Sequence, residues 1–119
     1  MTPADHTGRH PRHELDDVIH APVRLSVVAT LSGVDKAEFS FVRDAVEITD
    51  SALSKQVAVL EQAGYVTVTK GYVGKRPRTW LALSAEGRTA FERHLAALTQ
   101  IAGQARQAAA TGPGTVSAP

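Results

Sequence analysis

Residues 49–64 read TDSALSKQVAVLEQAG, and this stretch decides the fold. Thr49 and Asp50 carry side-chain oxygens suited to cap a helix, and Gly64 suits its C-terminal end, so a helix is predicted over residues 51–63. Within it Leu53, Val57 and Leu60 have the spacing of one buried stripe. The opposite side then presents Ser51, Ala52, Ser54, Lys55, Ala58 and Gln62, an edge of short or polar side chains. So slim an edge can approach another surface closely.

Downstream of Gly64 the helical period gives way to alternation. Residues 65–70 and 79–83 are rich in β-branched and aromatic residues, with Gly71, Gly74 and Pro77 between them, which predicts a two-stranded hairpin. Its tip carries Lys70, Lys75, Arg76 and Arg78 with no acidic residue in that interval. Ser84 then suits an N-cap for a long last helix, in which Phe91, Leu95, Leu98, Ala102 and Ala105 recur at alternating steps of four and three. Upstream, Phe41, Val42, Ala45 and Val46 mark a short helix within residues 38–48. Pro22 opens an earlier one through Leu25, Val28 and Leu31, ended by Gly33. Leu15, Val18 and Ile19 also fall at helical spacing.

These elements set the domain organisation: a flexible polar arm over residues 1–13, one domain over 14–108, and a disordered tail over 109–119 containing Gly112, Pro113 and Gly114. A chain of 119 residues holds one ordinary core. At 43% hydrophobic residues it is globular in composition, and no apolar run approaches the roughly 20 residues of a membrane span. No membrane partner is expected. The arm holds His6, Arg9, His10, Arg12 and His13 without a following apolar stretch, unlike a secretory signal, so a cytoplasmic location is expected. The absence of cysteine excludes disulfides, thiolate metal sites and cysteine nucleophiles. The histidines of the arm are read as solvated side chains, so no metal and no cofactor is expected.

The net charge of +1 conceals an asymmetry: residues 1–50 hold nine acidic against five basic side chains, residues 51–119 three against eight. A positive field concentrated in the later segments favours a polyanion there. The order helix, helix, capped helix, basic hairpin, long helix is that of a winged helix-turn-helix, an α+β and mostly α chain with a two-stranded β wing and a long C-terminal dimerisation helix. In that layout Ser51, Ser54 and Lys55 reach base edges in the major groove, while Lys70, Lys75, Arg76 and Arg78, with Thr79 beside them, meet the DNA backbone or minor groove. The stripe of Phe91, Leu95 and Leu98 either folds back on the first helix or pairs with a second copy, and Leu15, Val18 and Ile19 are assigned to the same homodimer contact. A two-fold dimer predicts a pseudo-palindromic operator. Four phosphate-facing groups per subunit predict a log-log salt slope near ~−7.

The run from Leu53 to Val66, the segment Gly74-Lys75-Arg76-Pro77-Arg78-Thr79, and Leu83-Ser84-Ala85-Glu86-Gly87-Arg88 together resemble the winged-helix regulators of the MarR and ArsR type, in their short single-domain branch. The resemblance covers roughly residues 14–100. It implies a homodimeric repressor or activator whose recognition helix uses Ser51 through Gln56, Ala52 included, and whose wing uses Lys75 to Arg78. Ser84 stands where those regulators more often have threonine, and the cap is kept. The lack of cysteine removes a thiolate metal sensor. A small-molecule effector between dimer helices follows only from the resemblance, since no residue set marks a pocket for one. No nucleophile elbow and no carboxylate–histidine arrangement is legible, so the chain is not expected to be an enzyme. The alternative is a winged-helix module that binds protein instead of DNA, which has no use for a purely basic hairpin.

Overall fold

The computed structural model describes residues 9–111, which fall into two compact units, residues 16–92 and the terminal segments ending at Leu15 and beginning at Arg93. The larger unit contains α1 (Pro22–Ser32), a short strand β1 (Ala37–Glu38), α2 (Phe39–Val46), α3 (Asp50–Gln62), the hairpin β2 (Val66–Val73) and β3 (Arg76–Leu83), and the start of α4 (Ala85–Thr111). The predicted two-stranded wing forms as β2–β3, and a third strand not foreseen extends it into an antiparallel sheet of order β1-β3-β2. The added strand pairs Ala37 with Leu81 and Glu38 with Trp80. Two residues are too short to leave an alternation pattern.

The core of this unit is formed where the helices meet the base of the hairpin. Ile19, Val27, Val28, Leu31, Val42, Leu53, Leu60 and Leu81 are fully buried there. The predicted stripe of α3 is buried as the spacing required, and α1 starts with Pro22 in its first turn and is capped by Gly33. Phe41 departs from expectation: it was placed on the inner face of α2 but is 56% exposed, the core position being filled by Val42.

No α-helix forms at residues 14–20. The spacing of Leu15, Val18 and Ile19 was misleading because Asp16 captures local backbone donors: its Oδ1 accepts from the amides of Val18 and Ile19 at 2.9 and 3.1 Å. A short acidic side chain that satisfies backbone N–H groups itself offers the chain a turn in place of a helix. Its Oδ2 accepts from the Tyr65 hydroxyl, which ties that turn to the start of the hairpin.

Ser84 fulfils its capping role and adds a second one. Its Oγ accepts from the Gly87 amide at 2.9 Å and donates to the Gly64 carbonyl at 2.6 Å. The first turn of α4 is thereby drawn so close to the chain leaving α3 that a Cβ at residue 87 would collide with the Tyr65 carbonyl oxygen. Glycine at 87 is a packing requirement.

In the terminal unit, Pro11–Glu14 form a 3-10 turn capped by His10, whose Nδ1 accepts from the Arg12 amide, so part of the expected arm is structured. Along α4 from Arg93, His94 and Ala97 are buried whereas Leu95 is 42% exposed. The helix continues to Thr111, so Ala109 and Ala110, expected in the tail, are helical. The rest of the predicted arm and tail, with His6, lies outside the described residues. Among the described residues no helix is long and apolar enough to cross a membrane.

Candidate nucleic-acid interface

α3 is locked at its N-terminus before it can present anything. Thr49 Oγ1 accepts from the Ala52 amide at 3.1 Å, the cap expected of it, while Asp50 becomes the first residue of the helix. Arg43, at the end of α2, donates to Asp50 at 2.9 Å and to Asp44 at 2.9 Å. The turn between the two helices passes through Glu47 at φ 63°, a left-handed conformation rare for a side chain with a Cβ. These contacts fix the angle at which α3 leaves α2.

Ser51, Ser54, Lys55 and Ala58 are exposed along α3 and Ala52 is half-buried. Gln56 is separated from that group: it is half-buried, and its Oε1 accepts from Arg24 of α1 at 2.9 Å. Arg24 also donates to the Val18 carbonyl. Gln56 therefore positions α3 against α1 within the fold, a role that its place in the sequence run does not reveal.

The hairpin is longer than predicted and closes through a two-residue loop, Gly74-Lys75, with Val73 opposite Arg76. Gly74 adopts φ 63°, the requirement of the first loop position in a type II′ turn. Pro77 lies within β3 at a level that β1 does not reach, where an open strand edge tolerates a residue without an N–H. Because strand side chains alternate, the basic cluster is divided between two faces. Val68 and Lys70 of β2 share one face with their partners Leu81 and Thr79 of β3, whereas Arg76 and Arg78 project from the other.

The first of these faces looks onto α3. Ser54, Ala58, Val68, Lys70 and Thr79 line a single cleft of about 630 Å³, with Asp50 and Glu61 also on its wall. The slim edge of α3 and the inner face of the wing thus border one groove.

On the second face Arg78 is not an unopposed charge. Its Nε lies 2.8 Å from Glu38 Oε1 of β1, and its Nη1 donates to the Pro77 carbonyl. The hairpin contains no acid, as the sequence indicated, but the added strand supplies one across the sheet. Lys70, Lys75 and Arg76 are exposed. Glu38 is the residue of this candidate interface that sequence reasoning missed, and only knowledge of the third strand locates it. Trp80 is half-buried with the Lys36 ammonium 4.8 Å from its ring centroid, and Tyr65 donates to Asp16, so both act in packing.

The residues assigned to a dimer contact divide as well. Ile19 and Phe91 belong to the chain's own core and Val18 packs against it, which removes them from any exposed stripe. Leu95 is exposed, and Leu15 and Leu98 are half-buried. Among the described residues no group of three His, Cys, Asp or Glu side chains is placed to hold a metal ion.

Comparison with known proteins gives this geometry its context. Residues 23–102 match the family model described as the winged helix DNA-binding domain. An uncharacterized protein of Methanocaldococcus jannaschii, MJ0432, is 26% identical over 84 residues, spanning 71% of this chain and 91% of the relative. The structure of a transcriptional regulator homologue from Pyrococcus horikoshii OT3 superposes with a TM-score of 0.73 at 26% identity, covering 79% of this chain and 94% of that one. A MarR-family transcriptional regulator from Silicibacter pomeroyi shares the fold at a TM-score of 0.58 and 19% identity, covering 89% and 69% of the two chains. The chain belongs to the winged helix DNA-binding domain family and has the fold of the MarR-type transcriptional regulators.

Proposed function

We propose that this chain acts as a homodimeric, sequence-specific regulator of transcription, with α3 in the major groove of duplex DNA and the β2–β3 hairpin on the flanking backbone. One observation carries the reading: the small polar edge of α3 and the Lys70–Thr79 face of the wing border the same cleft. Ser51, Ala52, Ser54 and Lys55 are the residues whose size and exposure suit base-edge contact. Lys70, Lys75 and Arg76 meet phosphate, Thr79 lies on the inner wall, and Arg78 contributes less because Glu38 already partners it.

Leu95, with Leu98 and Leu15, is the apolar surface left for a second copy. A two-fold pair places the recognition helices about 34 Å apart, one turn of DNA, and favours a pseudo-palindromic site. With three unpartnered cations per subunit instead of four, the salt slope of the dimer is near ~−5 by counterion release.

The test combines selection of bound duplexes by the purified protein, its mass in solution, and binding titrations across a salt series. Lys75→Ala/Arg76→Ala is expected to weaken all duplexes alike and to flatten the slope to about −2, whereas Lys55→Ala also blurs sequence preference. Unchanged duplex affinity in the double wing variant counts decisively against the proposal.

A further inference from the structure

Tyr72 is 73% exposed, the highest exposure among the large apolar and aromatic side chains of the described residues. It sits two residues before the turn of the hairpin, opposite Pro77. Strand alternation puts Tyr72 on the face of Val68 and Lys70, and Pro77 on the face of Leu81 and Thr79. Four of those residues line the cleft beside α3. The inner face of the wing therefore runs outward from core, through the Lys70–Thr79 pair, to an apolar Tyr72–Pro77 pair at its tip. Neighbouring Val73, 52% exposed, belongs to the other face.

An aromatic ring held in water by its own fold buries little for the chain that carries it. Its surroundings specify what covers it. Lys70 precedes it on the same face and Lys75 follows in the loop, both exposed, while Arg76 projects from the other face with Val73. A surface that alternates cation, aromatic ring, cation complements one that alternates phosphate, sugar, phosphate, which is the rim of a duplex groove. A protein partner with an apolar socket fits the ring alone and leaves the two flanking lysines unmatched.

We propose that Tyr72, backed by Pro77, is an apolar contact pad of the wing for the deoxyribose edge of the minor groove flanking the major groove entered by α3. The pad rests on the reading of the chain as a duplex binder and adds to it a contact that carries no charge. Its signature is thus loss of affinity without change in counterion release, unlike that of the neighbouring cations.

Fluorescence anisotropy with a labelled mixed-sequence duplex of about 30 base pairs, titrated across a salt series, separates the two behaviours. Tyr72→Ala is expected to weaken binding about tenfold at every salt concentration, the order expected for re-exposing much of an aromatic ring, with the wild-type slope retained. Tyr72→Phe keeps the ring and is expected to bind within about twofold of wild type, while Arg76→Ala flattens the slope. Thermal melting of each variant confirms that the fold is intact. The pad is overturned if Tyr72→Ala binds within about twofold of wild type, if it flattens the slope as Arg76→Ala does, or if Tyr72→Phe loses as much as Tyr72→Ala. Wild-type protein without salt-dependent duplex binding removes the duplex reading itself and the pad with it, an outcome distinct from normal wild-type binding with an indifferent Tyr72.

Discussion

α3 and the tip of the hairpin border one cleft but are held in opposite ways. α3 is fastened at its start by Thr49 and by Arg43 through Asp50, along its length by buried Leu53, Val57 and Leu60, and to α1 by Gln56. Between Thr69 and Pro77 no residue is buried, and the turn depends on cross-strand pairing alone. A reading helix must keep its orientation to compare bases, whereas a wing that grips the backbone gains from adapting to the local groove. One surface is rigid because its underside is core, and the other is compliant because it has no underside.

The largest expected effect breaks this contrast at its root. Leu53→Ala removes a fully buried side chain from beneath the exposed edge of α3 and is expected to cost about 3 kcal/mol in denaturant unfolding. At the tip, Val73→Ala is expected to stay within about 0.5 kcal/mol of wild type. Equal losses at the two positions would mean that the hairpin tip is packed in solution and the contrast is false.

Next in size, Thr49→Ala deletes the acceptor that satisfies the Ala52 amide and is expected to lower stability by about 1 kcal/mol. Because that cap orients the turn carrying Ser51 and Ser54, hydrogen exchange should speed up at the N-terminus of α3 and remain unchanged in β2. Glu47→Gly has the opposite sign. Relief of the left-handed strain at φ 63° outweighs the added freedom of glycine in the unfolded chain, for a gain of about 0.5 kcal/mol by thermal melting. A loss on that substitution would mean that the Glu47 side chain supports the turn.

The same contrast explains what was legible in the sequence. α3, α4 and the base of the hairpin could be read because each is governed by local rules: caps at Thr49 and Ser84, a glycine after the last turn, and a stripe that must be buried. Three features escaped, the first because a local side-chain capture of backbone donors overrode the apolar spacing and the other two because their partners are distant in sequence. Asp16 folds residues 14–20 into a turn that also receives the Tyr65 hydroxyl, Gln56 is claimed by Arg24, and Arg78 is partnered by Glu38 from a two-residue strand. The helix edge and the basic hairpin named from the sequence do border one cleft, but the sequence counted Arg78 as a free charge that Glu38 in fact partners. The alternation that divides the wing into two faces was present in the sequence, but only the register shows which face meets α3.

The smallest effect lies at the surface of the joint between α2 and α3. Arg43 donates to both Asp44 and Asp50, and the hydrogen bond from Arg43 holds the Asp44 carboxyl below its ordinary pKa. A carboxylate with a depressed value in the folded state stabilises that state above its unfolded pKa, and the contribution disappears as pH falls through the folded value. Asp44→Asn is therefore expected to melt slightly below wild type at neutral pH, with the two curves converging below about pH 4. Asp44 is solvent-exposed, so the difference at neutral pH should also shrink as salt is raised. Arg43 keeps Asp50 in the variant, so the start of α3 stays fixed and duplex affinity should not change. A gap in melting temperature that persists at low pH would show that Asp44 supports the joint by packing and not by charge.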